Sequence, residues 1–148
     1  MHIRPLRSSD ASDVARLAGQ LGYPATRSEV EARLRAVEER SEHLCLGAED
    51  GEGRLIGWVE AASRELLYVD RYAEICALVV DEACRGGGVG RALLEAAERW
   101  AGELGHRVVR LRSSVKRERT HRLYLRLGYV VEGTGHTFRK DRPPTGRR

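Results

Sequence analysis

The sequence has few aromatic residues, few cysteines and no long apolar run. Aromatic residues make up 5% of the 148 residues, so a platform on which nucleic-acid bases could stack is not evident. The three cysteines, Cys45, Cys76 and Cys84, are too few and too irregularly spaced for a disulfide framework or a metal cluster, and reduced, mostly buried thiols are expected. No apolar stretch approaches the roughly 18 residues that span a bilayer, and the N-terminus lacks the apolar region of a signal peptide. We therefore expect a soluble, cytoplasmic protein that binds neither metal nor membrane.

Charge is distributed unevenly along the chain. The formal net charge is +4, but residues 1–105 hold 13 basic and 19 acidic side chains, whereas residues 106–148 hold 13 basic and 3 acidic ones. The basic part is typical either of a nucleic-acid-binding surface or of the surroundings of a ligand with several phosphate charges. The scarcity of aromatic residues favours the second interpretation, so nucleic acid is not expected as a partner.

A glycine-rich turn lies between an apolar run and an amphipathic helix pattern. Residues 85–91 read Arg-Gly-Gly-Gly-Val-Gly-Arg, after the apolar residues 75–80. A glycine turn that leads into a helix presents unpaired backbone N–H groups and the positive end of the helix dipole, which together suit phosphate. Arg85 and Arg91 reinforce that preference. A turn that is merely tight would need only one or two glycines.

Three glycine motifs can be compared with this turn. A P-loop requires a lysine and a hydroxyl residue after its last glycine, whereas Gly90 is followed by Arg91 and an alanine. A dinucleotide-binding fingerprint counted from Gly86 requires a third glycine where this chain has Arg91. The pattern Arg-x-x-Gly-x-Gly does fit, at Arg85, Gly88 and Gly90. This segment resembles the acetyl-coenzyme A loop of the GNAT superfamily of N-acetyltransferases.

Two further segments resemble the same superfamily. Residues 3–6 with Asp10 look like its opening, and residues 123–129, Leu-Tyr-Leu-Arg-Leu-Gly-Tyr, look like its Leu-Tyr-x-x-Leu-Gly-Phe/Tyr segment. The resemblance covers nearly the whole chain and implies an α+β fold in the order β-α-α-β-β-β-α-β-α-β-β. It has a mixed, mostly antiparallel sheet of about seven strands flanked by about four helices. One N-acetyltransferase domain over residues 1–140 and a disordered basic tail over residues 141–148 are expected.

Hydrophobic periodicity gives approximate positions for these elements. Helices are predicted from about residues 10, 28, 89 and 116, and strands are predicted at residues 2–7, 44–48, 55–62, 73–82, 108–111, 129–131 and 134–139. A hairpin turn is predicted at residues 50–53. Residues 65–71 are predicted to be a connecting loop.

The resemblance also implies which residues contact the cofactor, acetyl-coenzyme A. The backbone of Leu78, Val79 and Val80 would pair with the pantetheine arm, and one of these N–H groups would polarise the thioester carbonyl. The pyrophosphate would lie against the glycine turn. Arg117 stands where the family often has asparagine and could still contact the coenzyme. The expected cofactor-binding residues are therefore Leu78, Val79, Val80, Arg85, Gly86, Gly87, Gly88, Val89, Gly90, Arg91 and Arg117.

Two residues are candidate catalytic groups. Tyr124 occupies the position of the family's tyrosine that protonates the departing thiolate, although a packed helical tyrosine is the alternative. Glu74 is the expected general base, directly or through one water. Strand alternation predicts that its side chain shares a face with Cys76, Leu78 and Val80, and its Ala-Glu-Ile setting resembles the strand of histone acetyltransferases that carries the base. Glu74 could instead mark the exposed start of the strand or attract a cationic acceptor.

The expected activity is direct transfer of an acetyl group from acetyl-coenzyme A to a primary amine. The acceptor could be a small amine, an aminoglycoside, an amino acid or a protein amine, and the protein could be a monomer or a homodimer. A ping-pong route through Cys76 or Cys84 and a catalytically silent acyl-coenzyme A-binding module are the alternatives.

Overall fold

The computed structural model of the protein describes residues 1–145, which form two compact units. The first unit, Met1–Ser114, contains β1 (His2–Pro5), α1 (Ala11–Leu21), α2 (Arg27–Val37), β2 (His43–Glu49), β3 (Leu55–Leu66), β4 (Val69–Val80), α3 (Val89–Glu103) and β5 (Val109–Leu111). The second unit begins at Val115 and contains α4 (Glu118–Arg126). The expected tail lies partly outside the described residues, at 146–148. None of the described helices combines the length and the apolar composition that crossing a membrane requires.

The sheet has five strands in the order β1-β2-β3-β4-β5. The first four pair antiparallel with their sequence neighbours, and β5 pairs parallel with β4. The expected α+β class, the mixed sheet and four helices are confirmed, and the observed order matches the prediction through α4.

The prediction of about seven strands was wrong. In the described residues, 129–131 and 134–139 form no strand, and Val130, Val131 and Phe138 are largely exposed. These apolar residues had suggested a final strand pair. Because β-propensity depends on packing against neighbouring strands, a short apolar run with no face to bury is not held in a ladder.

The predicted loop at residues 65–71 was also wrong, since β3 and β4 form one long hairpin. Leu66 pairs with Val69, so only Leu67 and Tyr68 connect the strands. The segment carries the charged residues Glu65, Asp70 and Arg71 at its two ends, and the apolar Leu66, Leu67 and Tyr68 between them are exposed at the tip of the hairpin. Next to the tip, a cross-strand ion pair between Arg64 and Glu74 stabilises the pairing.

Helices cover both faces of the sheet in the first unit. One face, with Trp58 and Val79, packs against the apolar sides of α1 and α2 in a single buried cluster. The other face packs against α3. The approach is close at Gly57, where an added Cβ atom would meet the side chains of Val89 and Leu93. The central strands are therefore covered on both sides near Val80, a few residues before the glycine turn.

Candidate active site

A β-bulge at Cys76 divides β4 into two parts. Glu60 of β3 pairs with Ala77, but the next residue, Ala61, pairs with Ile75, so Cys76 is an extra residue on β4. A bulge bends its strand and changes which residues share a face. Cys76 is exposed rather than buried as expected.

The bulge overturns the predicted orientation of Glu74. Glu74 lies opposite Ala62, while Leu78 lies opposite Val59. Because β3 alternates regularly between Val59 and Ala62, Glu74 and Leu78 point to opposite faces, and Val80 shares the face of Leu78. The predicted common face of Glu74 with Leu78 and Val80 was therefore wrong, whereas Cys76 does lie beside Glu74, with its Sγ atom 3.8 Å from the carboxylate.

The strand β5 accompanies β4 only as far as the bulge. The parallel ladder consists of Ala73 with Val109, Glu74 with Arg110 and Ile75 with Leu111. In the described part of the first unit, the backbone from Cys76 to Val80 pairs with β3 alone. Such a strand edge can pair with an extended ligand through its backbone. Leu78 and Val79 bury their side chains, which leaves the backbone as the group that they can offer a ligand.

The glycine turn follows this open edge after Asp81 and a single turn of 3-10 helix at Glu82–Cys84. Gly86 and Gly88 have positive φ angles of 88° and 84°, a backbone conformation that side-chain-bearing residues rarely adopt. Residues 85–88 are exposed, whereas Val89 is buried and anchors the first turn of α3. The N-terminal N–H groups of α3 therefore face outward from a fixed position, as phosphate binding requires.

The two arginines of the turn already have partners. The Nε atom of Arg85 donates a hydrogen bond to the carbonyl oxygen of Val80 over 3.3 Å. The Nε atom of Arg91 lies 2.6 Å from a carboxylate oxygen of Glu95, one helical turn away. Both side chains are exposed, so an exchange of these weak contacts for a phosphate group costs little.

An ion-pair network around Asp81 holds the start of the turn against α1. The Asp81 carboxylate accepts hydrogen bonds from Arg16 over 2.7 Å and from the backbone N–H of Ala83 over 3.2 Å. Gln20 of α1 accepts a further bond from the backbone N–H of Glu82. The hydrogen bond from Arg16 lowers the pKa of Asp81. Sequence patterns did not reveal this network, since its partners are about 60 residues apart.

Glu74 is paired with a guanidinium group. The Nε and Nη2 atoms of Arg64 lie 2.7 and 2.6 Å from the same carboxylate oxygen of Glu74. This hydrogen bond raises the pKa of Arg64 above its ordinary value. The contact crosses the β3–β4 ladder at the exposed end of the hairpin.

A second group of reactive side chains lies on the same face as Glu74. His43 and Cys45 of β2 and Glu60 of β3 bring one ligand atom each within 4.8 Å of one another. The Nε2 atom of His43 lies 2.6 Å from a carboxylate oxygen of Glu60. Sequence spacing had not suggested this cluster because the three residues meet only through the register of two strands. The signal that could have found it is the alternation of His43 and Cys45 on one face.

The thiols near this cluster are poor nucleophiles at neutral pH. Burial, then the charge of Glu60, raises the pKa of Cys45 to about 12. Although Cys76 is exposed as a residue, partial desolvation of its thiol, then the charges of Glu60 and Glu74, raises the pKa of Cys76 to about 11. Since the thiolate is the reactive form, these shifts disfavour a ping-pong route through Cys76.

Tyr124 and Arg117 belong to the second unit. Tyr124 is 8% exposed and stacks obliquely on Tyr129, with ring centroids 5.9 Å apart. Burial raises the pKa of the Tyr124 phenol, and the positive charge of Arg117 opposes that shift. The structure therefore provides a protonated phenol at this position, while the predicted roles of both residues stay predictions.

This arrangement of fold, strand edge and glycine turn agrees with the comparisons to known proteins. Residues 13–129 match the acetyltransferase (GNAT) family, so the chain belongs to that family, whose members are acyltransferases. The family expected from the sequence is thereby confirmed, as is the expected enzyme class at the level of the family.

Two curated relatives carry N-acetyltransferase names. The chain is 33% identical over 81 residues to the uncharacterized N-acetyltransferase YhdJ of Bacillus subtilis, across 54% of this chain and 56% of the relative. It is 32% identical over 114 residues to the aminoalkylphosphonate N-acetyltransferase of Salmonella typhimurium, across 76% of this chain and 71% of that enzyme. The matched region thus spans little more than half of the first relative.

Solved structures share the fold. Glucosamine-6-phosphate N-acetyltransferase from Arabidopsis thaliana superposes with a TM-score of 0.81 at 21% identity, over 95% of this chain and 98% of the other. An aminoglycoside 6'-N-acetyltransferase from Acinetobacter haemolyticus gives 0.80 at 20% identity, over 95% and 99%. At this level of identity the likeness concerns the fold alone.

Proposed function

We propose that the protein is an acetyl-coenzyme A-dependent N-acetyltransferase that acetylates a primary amine by direct attack on the thioester. The observation that carries the proposal is the open backbone edge of β4 between Cys76 and Val80, followed four residues later by an exposed glycine turn. An extended pantetheine arm and a pyrophosphate group are chemically matched to these two features in the same order.

The contacts to acetyl-coenzyme A would come mainly from the backbone. The N–H groups of the glycine turn and of the first turn of α3 would bind the pyrophosphate, supported by the charges of Arg85 and Arg91. Leu78, Val79 and Val80 would pair with the pantetheine arm. An N–H group of this edge would donate to the thioester oxygen as negative charge develops there.

In the reaction, the amine nitrogen forms a bond to the acetyl carbon and the bond from that carbon to sulfur breaks. The ammonium must first lose a proton, and the departing thiolate must gain one. We assign the first task to Glu74, directly or through water, and the second to Tyr124. The Glu74 carboxylate lies 2.6 Å from the guanidinium of Arg64, so an acceptor amine would have to approach it beside that contact.

Glu60 is a second candidate for the base. Its carboxylate is bonded to the His43 imidazole, which offers a route for the proton away from the amine. Both carboxylates lie on the face of α1 and α2, so they would also attract a positively charged acceptor to that face. If the contact between Arg64 and Glu74 persists and neither Glu60 nor Glu74 takes a proton, the protein would be a catalytically silent acyl-coenzyme A-binding module.

The acceptor is proposed to be a small amine. The Salmonella relative acts on an aminoalkylphosphonate, and the structural neighbours described above include enzymes for an amino sugar phosphate and for aminoglycosides. What these names share is a primary amine on a polar small molecule. An acceptor of that chemical class fits a face that bears Glu60 and Glu74.

The decisive experiment measures thiol release from acetyl-coenzyme A with a panel of amines, among them aminoalkylphosphonates, amino sugars, polyamines and lysine peptides. We expect acceptor-dependent release with at least one small amine. Glu74→Gln and Glu60→Gln would then distinguish the two candidate bases. Coenzyme binding without turnover on any amine would favour the silent module.

Cofactor binding has its own test. Gly88→Asp adds a side chain at a positive φ angle and a negative charge at the helix N-terminus, so it should weaken coenzyme A binding by tenfold or more, about 1.4 kcal/mol. Isothermal titration calorimetry on the folded variant measures this. Unchanged affinity would remove the glycine turn from the proposed site.

A further inference from the structure

The cluster of His43, Cys45 and Glu60 has the composition of a metal site. Cys45 and Glu60 are direct cross-strand partners of β2 and β3, and His43 is two residues before Cys45, on the same face. Imidazole nitrogen, thiolate sulfur and carboxylate oxygen are the three donor types that zinc uses in proteins. We propose that these three residues bind a divalent transition-metal ion of the zinc type.

The distances are compatible with one ion held by all three donors. Zinc bonds of about 2.0–2.3 Å in a tetrahedral arrangement place the ligand atoms about 3.3–3.6 Å apart. Here the three ligand atoms lie within 4.8 Å of one another, and His43 Nε2 is 2.6 Å from Glu60 Oε2. Side-chain rotations that move the ligand atoms by about 1 Å would bring them to tetrahedral separations. The backbone need not move, because the strand ladder already fixes it.

The donor set also selects the kind of ion. A sulfur donor favours zinc and its neighbours over magnesium and calcium, which prefer oxygen ligands alone. Three protein ligands leave one tetrahedral position for water or another ligand. The cluster is partly exposed, with 16% of the His43 side chain and 34% of the Glu60 side chain accessible, so an ion can reach it from solvent.

Binding changes the protonation of the cluster. The ion replaces the hydrogen bond between His43 and Glu60, and the Cys45 thiol loses its proton to solvent when its sulfur forms the metal bond. The site joins two neighbouring strands and does not depend on acyl transfer. Its test measures metal binding and Tm rather than acyl transfer, so it can fail while the proposed enzyme stands. With the ion bound, Glu60 is a ligand and Glu74 remains the candidate base.

Spectroscopic titration with Co²⁺ tests the site directly. The chelator-treated, reduced full-length protein should bind one equivalent and develop a thiolate-to-cobalt charge-transfer band together with intense visible bands of four-coordinate cobalt. Zn²⁺ should displace both signals stoichiometrically and raise the Tm of the wild-type protein, because it binds only the folded state.

Three cysteine variants identify the sulfur donor. Cys45→Ser should abolish the charge-transfer band and weaken Co²⁺ binding more than the 10- to 100-fold typical of losing an outer-shell partner. Cys84→Ser is the matched control and should keep the band, as should Cys76→Ser, whose sulfur lies outside the cluster. His43→Gln and Glu60→Gln should each weaken binding without removing the band.

The proposal is overturned by several results. One is the absence of a charge-transfer band in the wild-type protein at millimolar Co²⁺. Another is a band that survives Cys45→Ser but disappears in Cys76→Ser or Cys84→Ser. A Zn²⁺-dependent rise in Tm that is equal in the wild-type protein and in Cys45→Ser would show adventitious binding elsewhere on the chain.

Discussion

Gly57 in β3 occupies a position where the sheet and α3 approach too closely for any side chain. A Cβ atom there would lie 2.9 Å from the carbonyl oxygen of Val79, 3.1 Å from a methyl carbon of Val89 and 3.2 Å from one of Leu93. Ordinary carbon-to-oxygen contacts are about 3.3–3.6 Å. In Gly57→Ala, β4 or the first two turns of α3 must therefore move by roughly 0.4 Å or more.

The size of the effect follows from these contacts. The side chains of Val89 and Leu93 can yield by small rotations, but the carbonyl oxygen of Val79 belongs to a paired strand and cannot. Overpacking of this kind costs about 1–3 kcal/mol. Because Val89 begins the helix that carries the glycine turn, part of the displacement should reach the proposed phosphate site. A loss of about 1 kcal/mol there corresponds to roughly fivefold weaker coenzyme A binding.

Urea denaturation at pH 7 and calorimetric titration with coenzyme A measure the two effects. Gly102→Ala, in the same helix, is the matched control, since a Cβ atom there has no neighbour within 4 Å and the φ angle is not positive. It should stabilise the protein by about 0.5–1 kcal/mol through helix propensity and leave coenzyme binding unchanged. A Gly57→Ala protein as stable as the wild type would refute the argument from close packing. Lower stability with unchanged affinity would refute only the coupling to the turn.

Three further predictions concern the site and its support. Glu74→Gln should lower turnover by roughly 10²-fold at neutral pH and recover part of it as rising pH deprotonates the amine, and a pH–rate profile that overlays the wild type would eliminate Glu74 as base. Tyr124→Phe should reduce kcat by about 10²- to 10⁴-fold with nearly intact coenzyme affinity, and an unchanged kcat would leave Tyr124 a packing residue. Asp81→Asn should cost about 1.5–3 kcal/mol of stability at pH 7, where the carboxylate accepts a charged hydrogen bond from Arg16. Because Asp81 has a lowered pKa when folded, this contribution is present above the ordinary carboxyl pKa of about 3.9 and fades as pH falls through the folded pKa. Urea denaturation curves of wild type and variant should therefore converge in acid, and a constant difference would contradict this assignment.

Local sequence signals predicted the parts of the fold that depend on local chemistry. Apolar residues at helical spacing located α1 and α3, and the glycines at 86 and 88 adopt the positive φ angles that a phosphate-binding turn requires. Exposed strands were predicted less well. The tip of the β3–β4 hairpin exposes Leu66, Leu67 and Tyr68 to solvent, so no alternation of buried and exposed residues revealed the pairing there. The apolar residues near Val130 resembled a strand and form none in the described residues.

The bulge at Cys76 shows why the site was harder to predict than the fold. No residue type marks it, since residues 73–77 contain neither glycine nor proline. The extra residue opposite β3 is visible only in the register. Yet that residue turns Glu74 toward α1 and α2, while Leu78 and Val80 turn toward α3. The bulge also lies where β5 ceases to accompany β4. The partly exposed carboxylates of Glu60 and Glu74 therefore share one face beside an open backbone edge. A strict alternation would have placed Glu74 on the face covered by α3, where a carboxylate would be desolvated without its partner Arg64 and inaccessible to an amine. The proposed role of Glu74 as base therefore depends on the register shift as much as on the glutamate itself.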